Sequence, residues 1–133
     1  MNNTASRSSN AIIFLRVAVA AFMLIHGVAR ISLGIVDDFG GFFTAKGFPL
    51  GFYLAWGITI FEIVGGLAMA AGFAVAPIAL LFIIELATGI YLIHANQGWF
   101  VVGAGRNGME YSALLICVLG AVAYTHLGKI KGK

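Results

Sequence analysis

The stretch GFYLAWGITIFEIVGGLAMAA, residues 51–71, decides the fold. Its only charged residue is one carboxylate, Glu62, at its middle. Its length suits a helix crossing a hydrocarbon core of ~30 Å at ~1.5 Å per residue. A carboxylate at that depth costs roughly 2.5–3.5 kcal/mol on insertion scales and defaults to a functional reading. Three more stretches of spanning length surround it, at residues 11–33, 75–95 and 109–127. Glu85 lies at the middle of the third span, and Glu110 opens the fourth.

The composition agrees. The chain has 133 residues, of which 61% are hydrophobic and 10% charged, against about 25% charged in soluble domains. These runs are too long for a soluble core. The sequence predicts an all-α, polytopic membrane protein, an antiparallel bundle of four transmembrane helices. One membrane domain, residues 11–128, lies between a polar N-terminal tail, 1–10, and a basic C-terminal tail, 129–133. The eight Lys and Arg residues are scattered, so no nucleic-acid surface is expected. A single cysteine, Cys117, allows no intrachain disulfide and excludes thiol chemistry that needs a Cys-x-x-Cys pair; it reads as a small packing residue. Residues 1–10 followed by an apolar run imitate a secretory signal. The run to residue 34 exceeds a signal core, however, and no small-x-small cleavage site follows it, so it reads as a retained span.

Pro49 and Pro77 sit near the starts of spans two and three, where a missing N–H costs little. A tight turn at Gly72-Phe73-Ala74 makes those spans antiparallel neighbours. Arg7, Lys129, Lys131 and Lys133 lie at the termini, whereas the two long loops carry Lys46 and Arg106. With an even number of spans this excess predicts both termini in the cytoplasm, and Arg16 near the inner end of span one agrees. The outer loops are aromatic, with Phe39, Phe42, Phe43 and Phe48 in the first and Trp99 and Phe100 in the third, which suits the membrane interface. Leu24-Ile25-His26 recurs as Leu92-Ile93-His94, and Gly41-Phe42-Phe43 as Gly98-Trp99-Phe100, a weak echo of a duplicated two-helix unit.

The candidate site is the set of polar groups inside the spans. His26 and Arg30 are four apart and share a helix face, with Arg16 about 40° off it. Glu62 precedes Gly65-Gly66, which allow a neighbouring helix to come close. Glu85 has Thr88 and Gly89 on its face, and Tyr111 and Ser112 follow Glu110. Counted from the outer boundary, Glu62 and Glu85 lie roughly 15 Å deep and His26 about 10 Å, with Arg30, Glu110, Tyr111 and His94 shallower. That order sets Arg30 with Glu110 and His26 with Glu62 or Glu85, although which carboxylate meets Arg30 is not decided by one sequence. The expected pocket is His26, Arg30, Glu62, Glu110 and Tyr111, with Glu85 and His94 secondary. His94 is nine residues past Glu85, on the opposite side of a straight helix, so the two share a cavity only if the helix ends early. Buried ionisable groups also simply pair to fix register. His26 and His94 as axial haem ligands are offset in depth and form a minimal signal, so haem is not expected. His126, near the inner end of span four, reads as an interface residue. No metal-ligand spacing, Walker A motif or nucleophile elbow occurs. Residues 103–108 spell G-x-G-x-x-G, but between two membrane helices this reads as a flexible loop.

Several pieces in order resemble the DoxX-like family of bacterial membrane proteins. They are His26-Gly27 with Arg30, Gly47-Phe48-Pro49, Glu62-Ile63-Val64-Gly65-Gly66-Leu67 with Ala71-Gly72-Phe73, and Asn107-Gly108-Met109-Glu110-Tyr111 leading into Leu114-Leu115. The resemblance covers roughly residues 12–128; Glu85 is not part of the pattern. It implies a four-helix protein of the bacterial inner membrane. Some relatives, such as the DoxD-type subunit of thiosulfate:quinone oxidoreductase, belong to quinone-linked redox systems, and others are proposed partners of oxidative-stress enzymes. The expectation is an accessory or ligand-binding subunit linked to membrane redox or oxidative-stress systems, with the cofactor open and quinone its candidate, and the bilayer, other redox subunits or further copies of the chain as partners. No self-contained catalytic motif accompanies it. A small proton-coupled transporter with Glu62 and Glu85 as a relay, and a plain scaffold set by its buried charges, stay open.

Overall fold

The computed structural model of the protein describes residues 2–128, and Lys129, Lys131 and Lys133 of the basic tail lie outside the described residues. The elements are α1 (Asn2–Ser32), α2 (Val36–Ala45), α3 (Gly51–Ala71), α4 (Val75–Leu92), a 3-10 turn (His94–Gln97) and α5 (Glu110–Leu127). Among the described residues there is no strand. Four helices are long and apolar enough to cross a membrane: α3, α4, α5 and the Thr4–Ser32 part of α1. This is consistent with the four-helix membrane bundle expected from sequence. Residues 2–10, read as a tail, form the first turns of α1.

Two compact units divide the chain: residues 20–73, and residues 2–19 together with 74–128. In the first, α3 buries Ala55, Thr59, Glu62, Gly66 and Met69. Their spacing of three and four residues draws one stripe along the helix. Ile60, Val64 and Leu67 lie off that stripe and are more than half exposed, as lipid-facing side chains are. The aromatic first loop is the short helix α2. Its buried residues Val36, Gly40 and Phe43 hold it to the start of α3, where Gly40 closes on Phe52. Phe39, Phe42 and Phe48 cluster around Phe43 with ring centroids 4.7–5.7 Å apart. Gly34 (φ 68°) and Gly72 (φ 86°) end α1 and α3 in left-handed caps. There Ile35 N–H donates to the Arg30 carbonyl at 3.1 Å, and Phe73 N–H to Ala68 at 2.9 Å.

In the second unit α4 and α5 pack side by side. Val75, Ala76, Ala79 and Phe82 of α4 and Ser112, Leu115, Leu119, Val122 and Ala123 of α5 are buried. The sequence carried span three to residue 95, but α4 ends at Leu92. The apolar run continues past the helical hydrogen bonds, and His94 starts a 3-10 turn instead. The echoed triplets therefore sit in unlike settings. His26 is inside α1 and His94 in that turn, while Gly41-Phe42-Phe43 is helical and Gly98-Trp99-Phe100 is not.

Candidate functional site

Arg30 lies in the last turn of α1, where the negative end of the helix dipole favours a cation. Its guanidinium makes a two-point ion pair with Glu62 of α3. Nη1 donates to Oε2 and Nη2 donates to Oε1 at 3.2 Å. Arg–carboxylate forks of this kind are the strong, geometrically specific pairs. The Glu62 side chain is 3% exposed and that of Arg30 14%, so water screens the pair little.

Two further groups fix the arginine. Thr59, fully buried one turn before Glu62, donates its hydroxyl to the Ala55 carbonyl at 2.7 Å. Its oxygen then accepts from Arg30 Nη1 at 3.0 Å. Phe39 of α2 covers the guanidinium, with Cζ 4.4 Å from the ring centroid, a cation–π contact. Arg30 thus ties together α1, α2 and α3. The close approach of α1 and α3 beside it depends on Gly27. A Cβ there would lie 2.8 Å from both Ile63 Cγ1 and the Thr59 carbonyl oxygen, and 3.1 Å from Glu62 Cβ. Three of the five N–H donors of Arg30 are used in these bonds, and among the described residues no acceptor takes Nε–H or the second Nη2–H. His26, one turn earlier on α1, is exposed.

The sequence set Arg30 with Glu110, and the partner it has is Glu62. Glu110 is engaged within its own unit. Its Oε1 accepts the Val101 N–H at 2.8 Å, and its N–H donates to the Trp99 carbonyl at 3.0 Å. Tyr111 follows it in the first turn of α5, partly exposed. His94 also serves this loop. A carbonyl only accepts, so His94 Nδ1 carries the proton that reaches the Asn107 oxygen at 2.8 Å. Glu85 is half-buried on α4, and the Thr88 hydroxyl beyond it donates to the Ile84 carbonyl at 2.8 Å.

Sequence reasoning missed Thr59 and Phe39. Thr59 could have been found, because it lies three residues before Glu62 and so on its face. Also missed was the contact of Arg16 with His126. Nδ1–H of His126 donates to the Val122 carbonyl at 2.8 Å, which leaves Nε2 to accept from Arg16 Nη1 at 3.5 Å.

Thr59→Ala is expected to lower stability by about 1–2 kcal/mol, because it strips a buried guanidinium of one acceptor. Thr59→Ser keeps the oxygen and should recover most of that loss in thermal unfolding followed by circular dichroism in detergent. Equal losses in the two variants would assign the effect to the methyl group instead.

The sequence model of one protein family, described as DoxX, matches residues 11–95. The match takes in His26, Arg30, Phe39, Thr59 and Glu62 and stops short of Glu110 and Tyr111. No curated protein and no solved structure matches the chain.

Proposed function

We propose, for a chain that belongs to the DoxX family and is a membrane protein, an accessory subunit that binds a small carbonyl-bearing or anionic ligand at Arg30. The observation that carries this reading is a buried arginine held rigidly on three sides, with two N–H donors unspent. A quinone headgroup fits such donors, since its carbonyl oxygens accept hydrogen bonds and its tail is soluble in lipid. Glu62 then serves as the anchor that aims Arg30, because both its oxygens are held by the guanidinium. In this reading His26, four residues before Arg30 and on the same helix face, exchanges a proton with the ligand. Glu110 is left out of this reading, because its Oε1 is held by the Val101 N–H of the loop. No electron donor belongs to this proposal, so reduction of the ligand falls to a partner redox protein. The chain would sit in the bacterial inner membrane with both termini cytoplasmic, which the basic residues at its ends support.

A short-chain ubiquinone titrated into purified full-length protein tests the reading. Saturable binding is expected, and Arg30→Lys should weaken it about tenfold, since an ammonium cannot bind Glu62 in a fork and still offer planar donors. Absence of binding to the parent protein would leave the second reading, a scaffold in which the ion pair only locks α1 to α3. That reading draws on the complete two-point pairing of Glu62. The same pairing counts against a proton relay through Glu62, which needs a carboxylate able to release and rebind a proton.

A further inference from the structure

The glycine-rich run at residues 103–108 has no part in the site at Arg30. It belongs to the segment joining α4 to α5, two helices of spanning length, and so lies at one face of the membrane. This segment is closed on itself. Gly108 N–H donates to the Phe100 carbonyl at 3.0 Å, Met109 N–H to Gly98 at 3.1 Å and Glu110 N–H to Trp99 at 3.0 Å. The Glu110 carboxylate takes the Val101 N–H, and His94 holds Asn107. Closure requires glycine at 108, where a Cβ would overlap the carbonyl oxygens of Trp99 and Phe100.

An open depression within this closed segment is lined by Val101, Val102, Gly103, Ala104, Gly105 and Arg106, and its wall is mainly polar. Only Arg106 of the six has a polar side chain, so the remaining polarity is main chain. The flanking N–H groups, at Val101, Gly108, Met109 and Glu110, all have acceptors. Those of residues 102–106 donate to no protein acceptor among the described residues. Val102, Gly103, Ala104 and Arg106 are exposed, so these N–H groups are open to solvent or to a ligand that replaces it, and successive N–H groups on a concave surface beside a cation form an anion site. Beside the depression Trp99, Phe100 and Val102 are 51%, 46% and 75% exposed, which suits the headgroup boundary of a bilayer.

We propose that residues 101–106 hold the phosphodiester group of an anionic phospholipid, through main-chain N–H groups and the Arg106 guanidinium. An arginine fork is suited to phosphate oxygens, and the exposed aromatic residues place the loop at the depth where those oxygens lie. The site is independent of ligand binding at Arg30.

The test uses full-length protein carrying Trp56→Phe, which leaves Trp99 as the sole tryptophan. Phosphatidylglycerol added to the detergent-solubilised protein should shift Trp99 emission saturably, with phosphatidylcholine at least about tenfold weaker. Arg106→Gln, at an exposed position, should keep the helical circular dichroism and weaken phosphatidylglycerol about tenfold, the order of one charge-assisted contact. Gly108→Ala keeps the charge but spoils the closure, and should weaken binding to a similar degree. Equal responses to the two lipids, or full binding by Arg106→Gln, would overturn the proposal. Full binding by Gly108→Ala would reduce it to a surface charge. Displacement of the lipid by millimolar inorganic phosphate would reassign the site to free phosphate.

Discussion

Glu62→Ala is expected to cost about 3–5 kcal/mol, the scale for a buried ion pair that loses one partner. The loss comes less from the missing attraction than from the guanidinium left behind. Arg30 is covered by Phe39 and is 14% exposed, so few waters can replace the carboxylate. Removing both charges should be far milder. Arg30→Met combined with Glu62→Met should recover most of the stability, since apolar side chains of similar size suit a membrane interior. Reversible unfolding of the purified protein, read by circular dichroism, compares the three. A single variant as stable as the parent would mean that the pair is not desolvated. If the double variant is stable, it also separates the two readings of function, because a ligand held by Arg30 is lost from it and a scaffold is not impaired.

The second large effect is expected at Gly27. Gly27→Leu should destabilise by about 3 kcal/mol or more, at the upper end of overpacking. The nearest obstacles to a new side chain are Ile63 Cγ1, which can rotate, and the Thr59 carbonyl oxygen, which is backbone and cannot yield cheaply. Displacing α1 from α3 also stretches the Arg30–Glu62 pair one turn away. Gly27→Ala gauges this, because it adds only the Cβ. Its loss should fall between those of the parent and the leucine variant, and a leucine variant without loss would show that the two helices separate freely.

Much of this arrangement was legible in the residues. Long, predominantly apolar runs fix four spans because a bilayer admits few other structures. Deep ionisable groups then name their own candidates, and Arg30 and Glu62 were both among them. Their pairing was not legible, for two reasons. Depth was counted from the ends of the spans, as though α1 and α3 met the interface at one level. Gly27, close to the end of α1, instead lies level with Thr59, Glu62 and Ile63, well inside α3, so α3 begins further out than α1 ends. A helical side chain also leans toward the N-terminus of its helix, which carries the guanidinium of Arg30 deeper than its Cα. The early end of α4 was hidden for another reason. Ile93 and Ala95 continue the apolar character of the helix before them around His94, and the bonds that turn the chain there reach Asn107 and residues 108–110.

The order of synthesis gives the Arg30–Glu62 pair a temporal side. The two residues are 32 positions apart. At roughly 5–20 residues per second, Arg30 leaves the ribosome roughly 2–6 s before its counter-charge exists. Through that interval α1 is a nascent hairpin arm with an uncompensated cation near its end. The polar headgroups can shelter it there, because a long side chain reaches the interface from the last turn. Arrival of α3 withdraws the cation from the headgroups, so the ion pair also dates the moment at which this part of the chain stops being three segments and becomes one.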